Sequence, residues 1–216
     1  VGLEQAMIKP LAAVLLMLGL GGCVILGDRS GSETPDYQVT ADLGRGVEVR
    51  SYAPRLVATA TVDGSGDWSA RSTAFQLLFN YISGGNTGQE KIAMTVPVQS
   101  TQDGEKIDMT VPVETDRSGG AFRMRFFFPA KYTAETAPVP TDPRVTLEVL
   151  PASELAVLQF SGFWNETILR EQKRKLAVVV ERSGWHATGA PVEMFYDPPF
   201  SIPWLRRNEV AAPVAR

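Results

Sequence analysis

The sequence predicts an α+β domain built from two similar halves, which share one curved antiparallel sheet or barrel and carry one long helix each. Two amphipathic helical segments each have strand-like sequence before and after them, so the chain is a degenerate repeat of roughly 80 residues. In addition, the segment KIAMTVPV at residues 91–98 returns almost unchanged as KIDMTVPV at residues 106–113. Apolar side chains alternate in each copy, as they do in a strand with one buried face.

These two copies predict a β-hairpin. The polar connector between them contains Asp103 and Gly104, a pair typical of hairpin turns. Pro97 and Pro112 indicate edge positions or strand ends, because proline has no N–H to donate to a ladder.

Helices are predicted over residues 67–82 and 165–183. Asp67 and Asn165 are suitable N-caps, and glycines at 84–85 and 184 follow the two segments. The side chains at helical spacing are Trp68, Arg71, Phe75, Leu78, Phe79 and Ile82 on the first helix, and Ile168, Leu169, Gln172, Leu176, Val179 and Val180 on the second.

Three further strands are predicted from alternation and from β-branched or aromatic content. They cover residues 122–126, 145–150 and 155–160. Together with the hairpin they supply the sheet that the two helices cover.

The N-terminal segment has the pattern of a bacterial lipoprotein signal. Lys9 provides a short positive region, residues 11–20 are apolar, and a Leu-Gly-Gly triplet precedes Cys23. The pattern predicts cleavage of residues 1–22 and a lipid-modified Cys23, with the domain facing the periplasm. An uncleaved anchor is the alternative, but residues 11–26 are fewer than the about 20 apolar residues that cross a bilayer. Val24, next to the cysteine, favours the outer membrane.

Residues 24–36 are predicted to be a flexible tether and residues 37–216 a single domain. The tether is rich in small and polar residues and has nothing to bury. Hydrophobic residues make up 44% of the chain, enough for one full core, and the net charge of -3 argues against nucleic acid as a partner. Cys23 is the only cysteine, which excludes an internal disulfide and a thiolate metal site.

Seven sequence blocks occur in a recognisable order over residues 37–210. They are VEVRSY at 47–52, AF at 74–75, YISGGN at 81–86, the two MTVPV copies, YDPPF at 196–200 and RRNEV at 206–210. In these blocks the chain resembles the SOUL/heme-binding protein family. The resemblance implies a distorted β-barrel flanked by two long helices, similar to the ligand-binding domains of bacterial multidrug-sensing regulators. It also implies binding of heme or a related tetrapyrrole, for buffering, transport or sensing.

Heme requires apolar walls, cations for its two propionates and, optionally, an axial ligand for iron. The resemblance places Phe75 and Phe79 where family members have apolar residues along the tetrapyrrole groove, and Leu78 and Ile82 are predicted to widen that face. Ordinary core packing of the same stripe is the alternative.

The candidate cations for the rim of the groove are arginines, whose guanidinium groups pair with carboxylates in bidentate geometry. They are Arg71, Arg206 and Arg207. For Arg206 and Arg207 an equally good interpretation is that their charges hold the C-terminal segment against the barrel.

His186 is the only histidine and therefore the first candidate for an axial ligand, although a lone loop histidine is more often simply solvated. The other candidates are Met94, Met109, Met124 and Met194, and the tyrosines Tyr52, Tyr81 and Tyr196. Buried methionines more often fill gaps in a core than bind metal.

An enzyme is the main alternative class. With one histidine there is no Ser-His-Asp triad, and the sequence contains no phosphate-binding loop, HExxH motif or cysteine cluster. Glu193 and Tyr196 are the one remaining acid/base pair, and they require a shared pocket to act together. A binding module for another planar apolar molecule, or a periplasmic scaffold without ligand, also remains open.

Overall fold

The structure is a computed structural model that describes residues 29, 32–64, 68–88, 90–102, 120–198 and 200–216. The lipoprotein signal with Cys23, the cap Asp67, the turn at 103–104, the second MTVPV copy and Met109 lie outside these ranges. The described strands are β1 Gln38–Gly44, β2 Val47–Tyr52, β3 Arg55–Asp63, β4 Val98–Gln102, β5 Ala121–Phe127, β6 Val145–Leu150, β7 Ser153–Phe160, β8 His186–Ala187, β9 Val192–Phe195 and β10 Asn208–Ala215. The helices are α1 Trp68–Ile82, α2 Glu166–Glu181 and a 3-10 turn at Pro203–Leu205.

The strands form one curled antiparallel sheet, a half-barrel with helices packed on it. Its order is β1-β2-β7-β10-β9-β4-β5-β3-β6, and the short β8 pairs with the far end of β10. This confirms the predicted α+β class and its barrel-like sheet.

The sheet order also has an internal symmetry. Exchange of β2 with β6, β3 with β7, β4 with β9 and β5 with β10 reproduces the order from β2 to β6 in reverse. The same exchange replaces α1 with α2 along the chain. The predicted two halves are therefore related by a pseudo-twofold axis, and β4 and β9 meet at that axis.

Helix α1 covers the half of the sheet that contains β3 and β5. Its buried side chains are Ala70, Ala74, Leu77, Leu78, Tyr81 and Ile82. The predicted face was therefore offset from the real one, since Trp68 is 73% exposed and Phe79 is 43% exposed. A Cβ on Gly85 would lie 2.8 Å from the Asn80 carbonyl oxygen, which explains the glycine after this helix.

Helix α2 agrees closely with its prediction. The Asn165 side chain accepts a hydrogen bond of 2.9 Å from the Ile168 N–H, as an N-cap does. Leu169, Leu176 and Val180 are buried, and they pack on Val49, Ala156 and other residues of the second half-sheet.

Residues 91–97 do not form the predicted strand. Ile92 and Val96 are buried, but the Ile92 N–H donates to the Ile82 carbonyl and the Val96 N–H to the Glu33 carbonyl. The N–H groups of Ile92 and Val96 thus form their hydrogen bonds with separate parts of the chain instead of with a neighbouring strand. The apolar side chains of the segment still reach the core. Only Val98 onward joins the sheet, where β4 pairs with β5 and β9.

Part of the predicted tether is bound to the domain. The Arg29 guanidinium pairs with the Asp197 carboxylate at 2.6 Å, and the Glu33 side chain accepts from the Ala130 N–H at 2.6 Å. Composition alone predicted a free segment because it does not reveal these partners. Among the described helices, none is long and apolar enough to cross a membrane.

Candidate functional site

The two helices approach each other above β4 and β9. Val98 and Ser100 on β4 lie opposite Phe195 and Glu193 on β9 in the strand register. Arg71 on α1 reaches Glu166 on α2, with 3.4 Å between the guanidinium and the carboxylate. We call the space between the helices above these central strands the inter-helix groove.

Glu193 is the charged centre of the inter-helix groove and is 5% exposed. One of its oxygens accepts from Arg71 Nη2 and from Ser100 Oγ, each at 3.0 Å. The other oxygen lies 3.1 Å from Lys173 Nζ. One carboxylate on β9 is therefore paired with a cation from each helix. Arg71 and Glu193 were candidates from the sequence, whereas Ser100 and Lys173 carry no local signal for this role.

The guanidinium group of Arg71 also lies beside two aromatic rings. Its guanidinium lies 5.2 Å from the Phe122 ring centre and 5.4 Å from that of Trp164. These distances are within the range of cation–π attraction. Arg71 is thus a cation held beside apolar rings, as the recognition of a carboxylate on an apolar ligand requires.

An aromatic stripe extends along α1 from Arg71. Phe75 and Phe79 follow at intervals of one helical turn, and their rings stack with centres 6.0 Å apart and planes 14° apart. Phe75 also contacts Phe126 on β5 in edge-to-face geometry, at 5.6 Å between ring centres. The stripe therefore has a fixed inner ring, Phe75, and an exposed outer ring, Phe79. We call Arg71, Phe75 and Phe79 the α1 stripe.

Leu78 and Ile82 do not widen this face as predicted. Leu78 is fully buried and Ile82 is 8% exposed, because the helix is turned so that both contact the sheet. Ile82 lines a shallow cleft together with Met94, Phe126 and Phe128. Its free space is about that of one water molecule, far below the roughly 300–1,000 Å³ of typical ligand pockets.

The candidate axial ligands differ in accessibility. His186 is exposed on β8, which pairs with the end of β10, whereas the α1 stripe lies above β5. Met124, Met194, Tyr52, Tyr81 and Tyr196 are all buried. Met94 is the partly exposed candidate that packs against the same core as Phe75. In the described ranges, no group of three His, Cys, Asp or Glu side chains is arranged to hold a metal ion.

Arg206 and Arg207 bind the protein itself and lie away from the α1 stripe. Two nitrogens of Arg206 donate to the Ser201 carbonyl at 2.9 and 2.8 Å. Arg207 donates to Glu209 at 2.9 Å and lies over the Tyr196 ring. These contacts agree with the interpretation that the two charges hold the C-terminal segment, and the rim role of Arg206 and Arg207 stays a prediction.

Glu209 is the centre of a second charged network, on the opposite face of the sheet from α2. Arg50 donates to both of its oxygens at 3.0 Å, and the Tyr196 hydroxyl donates at 2.7 Å. Burial and the Glu209 charge raise the pKa of Tyr196 well above its ordinary value, so the phenol keeps its proton. Burial lowers the pKa of Arg50, but the Glu209 charge together with the interactions with Tyr52 and Glu48 outweighs burial, so the pKa is raised above its ordinary value.

This network excludes the acid/base pair of Glu193 and Tyr196. Glu193 points toward the helices and Arg71, whereas Tyr196 points to the other face and donates to Glu209. Positions three apart on an extended chain face opposite sides of a sheet, so the two groups do not share a pocket. Glu193 is buried, but its partners are Arg71, Ser100 and Lys173 instead of Tyr196.

The sequence of this chain is similar to proteins of a known family. A family model described as SOUL heme-binding protein matches residues 32–213. Heme-binding protein 2 from Homo sapiens is 29% identical over 157 residues, which cover 70% of this chain and 71% of that protein.

Two solved structures share the fold. The C-terminal domain of EcmrR has a TM-score of 0.58 at 14% identity, over 83% of this chain and 98% of that one. An uncharacterized conserved protein from Listeria innocua has a TM-score of 0.58 at 17% identity, over 79% and 93% of the two chains. At such identities the likeness concerns the fold alone.

Proposed function

This chain belongs to the SOUL heme-binding protein family, and on that premise we propose that it binds heme or a related tetrapyrrole reversibly, without catalysing a reaction. The ligand lies against the α1 stripe at the edge of the inter-helix groove. Buffering, transport and sensing of heme are all compatible with such a site.

The observation that carries this proposal is the stacked pair of Phe75 and Phe79. Phe79 is 43% exposed although it is a large apolar side chain, and its ring stacks on that of Phe75. A flat macrocycle covers such a ring by offset stacking and removes apolar surface from water. Arg71, one turn before Phe75, is the cation of the α1 stripe, and a propionate would compete with its partners Glu193 and Glu166 for the guanidinium group.

The affinity is expected to be modest. The apolar face is open, and the exposed histidine His186 lies on another part of the sheet. Among the candidates that the structure describes, Met94 is partly exposed and packs against the same core as Phe75, so Met94 or a solvent molecule would be the ligand of the iron. Without a strong axial bond, we expect a dissociation constant on the order of micromolar.

A hemin titration of the fragment from residue 27 onward tests the proposal, because this fragment keeps every described element. Saturable change in the Soret band and in tryptophan fluorescence is expected for the wild type. Phe79→Asp places a charge on the exposed ring position and is expected to weaken binding at least about tenfold, or 1.4 kcal/mol. His186→Ala is expected to leave binding unchanged.

The matched control is Phe200→Asp, since Phe200 is also an exposed aromatic ring but lies in the loop before the 3-10 turn. Equal loss of binding in Phe79→Asp and Phe200→Asp would mean nonspecific adsorption of hemin to apolar surface. No saturable change in the wild type would reject heme and leave another planar apolar ligand as the alternative.

For the location of the protein we infer a bacterial cell envelope, with the domain tethered through a lipid on Cys23 and facing the periplasm. The support is the Leu-Gly-Gly-Cys sequence after an apolar segment. Incorporation of labelled palmitate that disappears in Cys23→Ser would agree with this inference, and equal labelling of both proteins would contradict it.

A further inference from the structure

Four large apolar side chains are exposed together at one end of the domain. Phe163 is 69% exposed, Phe200 68%, Trp204 73% and Leu205 41%. Phe163 lies in the connection between β7 and α2, and the other three lie between β9 and β10. We call these four residues the aromatic loop patch.

The two loops are joined by defined hydrogen bonds. The Gly162 N–H donates to the Pro203 carbonyl at 2.8 Å, and the Asn208 side-chain amide donates to the Gly162 carbonyl at 3.2 Å. The buried guanidinium of Arg206 binds the Ser201 carbonyl and lies 5.4 Å from the Phe163 ring centre. The patch is therefore held in place by buried polar groups while its rings face solvent.

The chain enters the domain beside this patch. Arg29 pairs with Asp197 and also donates to the Leu205 carbonyl at 3.0 Å. Residues 1–28 lie outside the described ranges and contain the apolar segment 11–26 and Cys23. The residues from Cys23 to Arg29 span at most roughly 20 Å even when fully extended. Whether residues 1–22 are removed or retained, a membrane-held N-terminal segment brings the patch to the membrane surface.

We propose that the aromatic loop patch docks onto the phospholipid surface that holds the N-terminal segment, with Trp204 and the two phenylalanine rings in the interfacial region. Tryptophan and other aromatic side chains favour this region because they combine an apolar ring with polar surroundings. The proposal rests on the membrane tether and does not depend on heme binding.

A second copy of the chain is a weaker fit to this surface. A stable protein interface buries about 800 Å² on each partner. Four partly exposed side chains present less than this area, whereas shallow insertion into lipid has no such minimum. Phe163 also precedes Trp164, whose ring lies beside Arg71 in the inter-helix groove. Docking would therefore bring one end of the groove close to the bilayer.

The test uses the full chain, reconstituted into vesicles of phosphatidylethanolamine and phosphatidylglycerol with brominated acyl chains, which quench nearby tryptophan. Trp68 is the matched control for Trp204, because both are 73% exposed and Trp68 begins α1. Quenching is expected in the wild type and in Trp68→Phe, and most of it is expected to disappear in Trp204→Phe. In Trp68→Phe, a further Phe163→Ser and Phe200→Ser change is expected to reduce the quenching of Trp204.

Loss of quenching in Trp68→Phe but not in Trp204→Phe would overturn the proposal, because α1 would then face the lipid. Vesicle-bound chain without bromine quenching would also overturn it, since the domain would stand free of the surface or pair through the patch with another copy. Hemin binding by the same variants separates the two ideas: failure of hemin binding with intact quenching rejects only the proposed function.

Discussion

Glu209 has no exposed surface and is surrounded by Arg50, Arg207 and Tyr196. A buried carboxylate is costly to remove from water, and only several charge-assisted hydrogen bonds offset that cost. The RRNEV block therefore acts in folding, since Arg207 and Glu209 belong to one network that reaches across the sheet to Arg50 on β2.

Glu209→Gln is expected to lower the free energy of unfolding by about 3 kcal/mol, because it removes the fully buried carboxylate that pairs with the buried Arg50 and the half-buried Arg207 and leaves Arg50 with the partly exposed Glu48 alone. Urea denaturation followed by tryptophan fluorescence measures this loss. Glu171→Gln is the control, since Glu171 pairs with Arg174 at the surface and such pairs contribute about 0–1 kcal/mol. Similar losses in the two variants would contradict a special role for the buried network.

For single residues, the sequence predicted which polar side chains are important better than it predicted their hydrogen-bond partners. Arg71, Glu193, Arg207 and Tyr196 all lie in buried or half-buried polar clusters. Their partners come from distant parts of the chain, as Arg50 does for Glu209 and Lys173 for Glu193 within the second half. Local patterns contain no information on such pairing, which depends on strand order.

Helix α2 begins at a cap that can be tested by itself. Asn165→Ala removes the acceptor for the Ile168 N–H and is expected to cost about 1 kcal/mol of stability. Asn165→Asp keeps an acceptor and adds negative charge at the helix N-terminus, so it is expected to stay within about 0.5 kcal/mol of the wild type. Equal urea midpoints for the two variants would contradict the capping role.

Secondary structure was predicted well for the long amphipathic segment of α2 and for the strand at 145–150. The strand Val145–Leu150 matches its predicted bounds, and α2 differs by a residue or two at its ends. The repeated MTVPV segment misled because alternation reports which side chains are buried, and not whether the backbone pairs. Ile92 and Val96 are buried as predicted, but their amides bond to the Ile82 carbonyl at the end of α1 and to the Glu33 carbonyl.

On the scale of the whole molecule, Glu193 joins the two halves. Arg71 and Ser100 belong to the first half and Lys173 to the second, and all three contact the same carboxylate. The repeat predicted from sequence is real, yet its sequence similarity is too low to indicate which residues lie at the axis.

Glu193→Gln is expected to act in opposite directions on stability and on ligand binding. The change leaves Arg71 and Lys173 without their shared counter-charge, which is expected to cost on the order of 3 kcal/mol. The same change removes the Glu193 charge that competes for Arg71, so that the guanidinium group can pair with a heme propionate. Hemin binding is therefore expected to become severalfold tighter.

Urea denaturation and hemin titration of the same protein measure the two effects. Lys173→Gln is a suitable comparison, because it removes one of the two cations that pair with Glu193. It is expected to leave hemin affinity nearly unchanged. Weaker hemin binding in Glu193→Gln would contradict the role of Arg71 as the propionate partner.

The reversed strand order has a consequence for how such a site can arise. A complex of two identical half-chains would carry every residue near the axis twice, so a carboxylate there would face its own copy across β4 and β9. The single Glu193 with two different cations therefore requires two halves that differ in sequence, which one continuous chain provides.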